Sequence, residues 1–337
     1  MTFMKTVIWL NHWFSTAYNI VSMLKETGKF HIIGSNEQEF SVLKEICDEW
    51  YSEPDKCSDK EYIDFCLEFC KEHKVDIFMP HRHLTVVSKY KEKFEENGIK
   101  VMVDDYSIIS VLNDKRASYE YFKKIQGVNV PDYYVVERLS EFMDAYEKIL
   151  AKYEKVCFKF VKDEGGKSYR LIDNNRKGYA ALFKKQNTRM TLDSVVEALS
   201  EKEVFSPIMV MPFLEGDEIS IDCLKTKDGN IMIPRIKGNA RFEKISYEKS
   251  ILDLCELVLN NVDLECPCNV QFKYMKDTPY FLEINTRMSG GVHMTCKAAD
   301  VNIPYVAIMK LMGQDVKWSI NRREVVISQV EVPLFFE

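Results

Sequence analysis

What this sequence lacks narrows it before any motif is read. No stretch approaches the ~18 unbroken apolar residues of a membrane-crossing helix, so no membrane partner is expected. Met1-Thr2-Phe3-Met4-Lys5 runs straight into a strand-like segment without the small-residue cleavage site of a signal peptide. A cytoplasmic location is the expectation. There is no excess of positive charge: 46 Lys and Arg stand against 52 Asp and Glu, a net −6. That argues against a nucleic-acid binder. The first strand is not followed by Gly-x-Gly-x-x-Gly but by Asn11-His12-Trp13-Phe14-Ser15. A dinucleotide held on the first helix is therefore not expected. Gly165-Gly166-Lys167-Ser168 lacks the earlier glycine of a Walker loop. Zinc-ligand spacing is missing too. Cys266-Pro267-Cys268 is the one close cysteine pair, and no second pair stands near it. The ten cysteines are scattered, mostly in apolar contexts such as Cys66, Cys70 and Cys157, as buried reduced thiols would be. No internal repeat or low-complexity segment stands out.

What is present suffices for a sizeable core: 337 residues, 46% of them hydrophobic, enough for two or three domains. Over the first hundred residues short apolar strands (6–10, 30–34, 76–80, 100–103) alternate with helical periodicity (16–27, 61–73 and from the early 80s to 97). That alternation implies a parallel sheet covered by helices. Ligands of such sheets bind beyond the carboxyl ends of the strands. His12, Trp13 and Ser15 follow one strand there, and His81, Arg82 and His83 follow another, so both loops are candidates to grip a small substrate. Further on, a helix is expected from Asp114 to Ile125, then strands at 156–160, 169–172, 208–211, 218–225, 230–237 and 269–274, with helices at 140–152 and 191–199.

The densest chemistry lies in Tyr280-Phe281-Leu282-Glu283-Ile284-Asn285-Thr286-Arg287, followed by Met288-Ser289-Gly290-Gly291. Glu283, Asn285 and Arg287 alternate, so one strand face carries all three. A carboxylate and an amide oxygen are hard ligands that suit magnesium, and a guanidinium can grip a phosphoryl oxygen through two N–H groups. Upstream, Asn269-Val270-Gln271-Phe272 forms a second short strand with a third oxygen ligand in Gln271, so the pair reads as a hairpin presenting a metal–triphosphate site. Lys159 sits inside the apolar strand Val156-Cys157-Phe158-Lys159-Phe160, a costly place unless its ammonium is paired or reaches solvent. After it come Gly165 and Gly166, whose backbone can fold over an anion.

In that order these segments resemble the ATP-grasp superfamily: Asn-Val-Gln-Phe, Glu-x-Asn-x-Arg, small residues, then a helix ending in Cys296-Lys297-Ala298-Ala299. The likeness is to one ATP-grasp unit of the carbamoyl-phosphate synthetase large subunit and to the carboxylate–amine ligases. It spans roughly Lys115 to Gly313 and leaves room for a single unit. The resemblance implies an α/β chain with an α+β core: an ATP-grasp fold with an N-terminal Rossmann-like parallel-sheet domain. It implies domains at 1–110, 111–210 (the lid, with its glycine-rich loop) and 211–337 (the metal and phosphate subdomain). The cofactors it implies are ATP and Mg2+ (or Mn2+).

Residue by residue, the resemblance casts Lys115 and Lys159 as phosphate contacts and Gly165, Gly166, Lys167 and Ser168 as the mobile loop of the lid. Met211 and Phe213 would face adenine, and Glu218 the ribose hydroxyls. Gln271, Glu283 and Asn285 would hold the metal, and Arg287, Lys159 and Arg241 would act on the transferring phosphoryl group. Arg235, His293, His12, His81 and Arg82 are candidates for the substrate. Many relatives carry glutamate where Met211 stands. The implied reaction activates a substrate carboxylate as an acyl phosphate and joins it to an amine. A carbamoyl-phosphate-forming enzyme acting on bicarbonate shares every ATP residue, and a nucleotide-binding module without turnover is the reading from another class. Small-molecule carboxylate and amine partners are implied, and quaternary structure stays open, a homodimer being the form that relatives often take.

Overall fold

The structure, a computed structural model, describes residues 5–12, 15–38, 40–162, 166–175, 188–238 and 242–335. By its contacts the chain divides into two units: Met1–Ser110 with Glu218–Gln271 and Ile284–Glu337, and Val111–Asp217 with Phe272–Glu283.

The first unit begins with β1 (Thr6–Leu10), α1 (Ala17–Lys25), β2 (Phe30–Asn36) and a 3-10 turn at Val42–Glu45. Then come β3 (Glu49–Ser52), α2 (Asp59–Glu72), β4 (Ile77–Met79), α3 (Leu84–Lys89), α4 (Lys91–Glu96), β5 (Lys100–Val101) and α5 (Tyr106–Leu112). The strands form a parallel sheet in the order β3-β2-β1-β4-β5. Side chains alternate across β1. Ile8 and Leu10 enter one core with Ile20, Val21 and Leu24 of α1. Trp9 enters the other, stacked on Phe78 at 4.0 Å. Burial on both faces is what keeps these parallel strands uniformly apolar. Ser58 and Glu61 close a capping box at the start of α2. The single helix expected up to Asn97 is instead two, broken at Tyr90. β3 and α5 were not foreseen.

The same unit holds β11 (Glu218–Thr226), β12 (Gly229–Lys237), β13 (Phe242–Ile245), α9 (Lys249–Asn260), β14 (Cys268–Met275) and β15 (Thr278–Asn285), the last two continuing into the second unit. α10 (Val292–Ala299), α11 (Ile303–Leu311) and β16 (Val325–Ser328) complete it. Its sheet runs β15-β14-β11-β12-β13-β16, so β14 and β15 are neighbours as the hairpin reading expects.

The second unit contains α6 (Lys115–Phe122), β6 (Tyr134–Val136), α7 (Leu139–Leu150), β7 (Val156–Phe160), β8 (Arg170–Ile172), β9 (Arg189–Met190), α8 (Leu192–Ser200) and β10 (Ile208–Pro212). These strands form a sheet in the order β6-β10-β7-β8-β9. Phe142, Ala145 and Ile149 of α7 pack on Phe158, Ile208 and Val210. The opposite parity of β7 carries Cys157 and Lys159, which pair with Met211 and Met209 of β10. All ten cysteines are free thiols.

Gly34 faces Trp50 across β2 and β3. A Cβ there would stand 2.7 Å from Cys47 Sγ and 2.9 Å from Trp50 Cε3, inside van der Waals contact. Gly34→Ala is expected to cost about 1–3 kcal/mol through this overpacking, read as a lower urea midpoint by circular dichroism. An unchanged midpoint would contradict the packing described.

Candidate active site

In the first unit a buried polar network fixes the residues around β11, β12 and β14. Arg235 is 2% exposed. Its guanidinium donates to Asp222 Oδ2 (3.2 Å), Ser289 Oγ (2.9 Å) and Glu243. Asp222 also accepts from Thr295 Oγ1 (3.0 Å) and from Asn269 Nδ2 (2.9 Å). With its amide nitrogen so engaged, Asn269 offers Oδ1 to Gln271 Nε2 at 3.0 Å. The relay therefore turns the nitrogen of Gln271 toward Asn269, which leaves its Oε1 as the atom not used in this bond. Arg235, a sequence candidate for substrate contact, is thus held by buried acids and a serine. Gly291 belongs to the same arrangement, because a Cβ there would overlap the Arg235 guanidinium. His293, two residues on, is half-buried. Its Nδ1 has no partner among the described residues, and burial with nearby Arg235 lowers its pKa.

The N-terminal sheet of this unit reverses its strand order between β1 and β4, which opens the crevice where ligands of open parallel sheets bind. His12 follows β1 and His81 follows β4, and their ring centroids are 5.1 Å apart. Buried Asn11 ties the two loops together. Its Oδ1 accepts from the His81 N–H at 2.7 Å, and its Nδ2 donates to Tyr62 Oη at 2.7 Å. Burial, with the Arg287 guanidinium adding to it, pushes the His81 pKa down to about 3. His12 falls well below its ordinary value for the same reason, with His81 and Arg287 adding to it. Two neutral imidazoles therefore share the electrostatic reach of Arg287. Arg82 has a different place. It is bound to Glu53 (3.1 Å), Glu37 (2.7 Å) and the carbonyls of Pro54 and Asp55, which makes it a brace of the loop.

In the second unit, Asp114 caps α6 and sets Lys115 at its first turn, 7% exposed. Lys159 is 9% exposed on β7. Its ammonium lies 5.8 Å from the Tyr119 ring, and among the described residues no carboxylate or hydrogen-bond acceptor is paired with it. Such a buried cation is costly unless an anion arrives. Ser168 Oγ accepts from the Phe160 N–H at 2.8 Å, which fastens the loop after β7, and Tyr169 N–H donates to Gly166 O at 3.1 Å. Lys167 is exposed. Met211 is buried at the end of β10, and the Phe213 ring lies 6.0 Å from both Lys155 and Lys273 ammoniums. The Phe213 N–H donates to Lys155 O at 2.9 Å, so this amide is engaged by the backbone before β7. Glu283 and Tyr119 lie within electrostatic reach of each other in this unit. In the first unit Glu218 is held by Lys237 at 2.6 Å. Trp13, Gly165 and Arg241 lie outside the described residues.

Against known proteins, residues 204–332 match a family model described as "ATP-grasp in the biosynthetic pathway with Ter operon", and residues 15–102 match a PylC-like N-terminal domain. The large chain of carbamoyl phosphate synthase from Clostridium acetobutylicum is 20% identical over 333 residues, 93% of this chain and 29% of that protein. This chain thus spans about three-tenths of the length of such curated relatives. Among solved structures, N5-carboxyaminoimidazole synthetase from Staphylococcus aureus complexed with ADP matches with a TM-score of 0.73 at 14% identity, covering 97% of this chain and 83% of that one. The biotin carboxylase domain of Hydrogenobacter thermophilus 2-oxoglutarate carboxylase, in complex with MgADP, ADP and bicarbonate, matches with a TM-score of 0.70 at 18% identity, covering 95% and 72%.

The chain has the ATP-grasp fold. By donor chemistry, the carboxylate of Glu283, the amide of Asn285 on the same strand parity and the amide of Gln271 are oxygen groups of the kind magnesium takes. No helix among the described residues is long and apolar enough to cross a membrane.

The depressed histidines of this ATP-grasp chain carry a signature in stability. Unfolded histidines bind protons near pH 6.5, whereas native His81 does so only near pH 3. Stability is therefore complete above about pH 6.5 and falls as the pH drops toward 3, by at most about 1.4 kcal/mol per pH unit for each such group. His81→Asn should flatten the wild-type loss of unfolding free energy between pH 6 and 4 in urea titrations. Parallel curves for the two proteins would show that His81 is protonated normally in the native state.

Proposed function

We propose that this protein is an ATP-dependent ligase that activates a substrate carboxylate and joins it to an amine. The observation that carries the reading is Lys159, a buried ammonium without an acid partner among the described residues, in a chain of ATP-grasp fold. Lys115 and Lys159 would bind the nucleotide phosphates, with the loop at Gly165, Gly166, Lys167 and Ser168 closing over them. Met211 and Phe213 would lie against the base through their side chains, and Glu218 would accept from the ribose hydroxyls. Gln271, Glu283 and Asn285 would hold Mg2+, which when bound neutralises phosphate charge. Arg287 would grip the acceptor carboxylate beside the neutral His12 and His81, which donate hydrogen bonds without adding charge. Arg235 would hold Ser289 and the start of α10 in place, and His293 and Arg241 remain candidates for substrate contact.

In this scheme a carboxylate oxygen attacks the γ-phosphorus and ADP leaves, giving an acyl phosphate. The amine nitrogen then attacks the carbonyl carbon, loses a proton, and inorganic phosphate departs with the former carboxylate oxygen. Water must be excluded while the acyl phosphate persists.

A second reading has bicarbonate as acceptor. The similarity to carbamoyl phosphate synthase, and to a carboxylase domain solved with bicarbonate, favours it. Release of ADP from Mg-ATP against a matrix of carboxylates, bicarbonate and amines separates the two. Turnover needing a carboxylate together with an amine is the expected result, and turnover with bicarbonate alone selects the second reading. Glu283→Gln should lower magnesium-dependent turnover at least about a hundredfold while the circular dichroism melt stays unchanged. A variant as active as wild type would remove Glu283 from the metal site.

A further inference from the structure

One face of α6 carries Lys115, Ser118 and Tyr119, spaced i, i+3 and i+4, and all three are buried. Lys115 is already assigned to the phosphates, but Tyr119 has no role in that reading. Its ring is fully packed, edge-on to Tyr133 (5.4 Å) and Phe281 (6.3 Å), with the Lys159 ammonium 5.8 Å from its centroid. Phenylalanine would satisfy all of that packing. Yet the residue carries a hydroxyl, and this buried hydroxyl has no hydrogen-bond partner among the described residues. A buried donor left unpaired destabilises the fold that holds it, so its retention calls for a partner in another state. Phe281, against which the ring packs, lies two residues before Glu283 on β15, and side chains at that spacing share a strand face. Glu283 lies within electrostatic reach of Tyr119, and toward a carboxylate, which only accepts, the phenol hydroxyl is the donor.

We propose that Tyr119 is a positioning residue for the divalent cation: its hydroxyl donates to the carboxylate of Glu283 when that group ligates the ion, and so fixes the orientation of the ligand. This rests on the reading of Glu283 as a metal ligand. Groups that orient ligands in this way typically change metal affinity by about 10–100-fold when removed. The empty protein loses nothing with the hydroxyl, whereas the metal-loaded protein does.

Tyr119→Phe separates the two states. Three quantities are measured for wild type and variant: the melting midpoint without nucleotide or metal, the calorimetric Kd for ADP in EDTA, and the Kd for ADP in excess Mg2+. The variant is expected to melt at the same temperature or higher and to bind metal-free ADP as wild type does. It should lose roughly tenfold of the affinity gained on adding Mg2+. An equal Mg2+-dependent gain in both proteins, with or without a lower melting point, overturns the role and leaves Tyr119 a packing residue. Wild type that shows no Mg2+-dependent gain overturns the magnesium reading itself, and this inference with it.

Discussion

The buried guanidinium of Arg235 is the interaction on which the polar interior of the first unit depends. Two acids, Asp222 and Glu243, compensate its charge, and Ser289 takes a further donor. Such a network is weak evidence for net stability, since apolar replacement of the whole set can be neutral. Removing one partner alone, however, strands a buried charge at a cost of about 3–5 kcal/mol. Its value here is positional. Asp222, held by Arg235, in turn holds Thr295 of α10 and Asn269 of β14, and Asn269 sets the amide of Gln271. Gly291 must lack a side chain so that the guanidinium can lie where it does.

Charge is distributed by the same logic elsewhere. Arg82 and Arg235 are both consumed in holding the backbone, one in the N-terminal sheet's loops and one in the antiparallel sheet. Around Arg287 the fold places imidazoles that burial keeps neutral, so the positive charge there is not multiplied by histidinium. In the second unit Lys159 is left with a ring face as its neighbour. Among the described residues no acid is paired with this buried lysine, and such a cation is costly unless an anion compensates it.

Much of this was legible in the sequence, for identifiable reasons. Short apolar runs bounded by turn residues marked β1, β7, β10 and β14 closely, because strands buried on one or both faces must be apolar. The helices expected to begin at Asp114 and Thr191 are present, and in the fold these two residues are their caps. The alternation of Glu283 and Asn285 follows from the pleat alone. The break at Tyr90 left no glycine or proline to betray it, and β13 and the edge strand β16 are short, with exposed Phe242 and Val326. α9 went unassigned although Ile251, Cys255, Val258 and Leu259 carry helical spacing that could have found it. The relay through Asp222, Asn269 and Thr295 joins residues 47 and 73 positions apart, and no local pattern encodes it. Arg235 and Arg82 looked like substrate contacts because a sequence shows a guanidinium but not the acids folded against it.

The central claim is that a carboxylate is activated by phosphoryl transfer, and the most direct test follows the oxygen. The protein would be incubated with Mg-ATP, an amine and the acceptor carboxylate labelled with 18O in both oxygens, and the released inorganic phosphate weighed by mass spectrometry. An acyl phosphate intermediate predicts one 18O atom in each phosphate, carried from the carboxylate. Phosphate that is free of 18O, and gains a heavy atom only when the water is labelled instead, would mean that ATP is merely hydrolysed and would contradict the account.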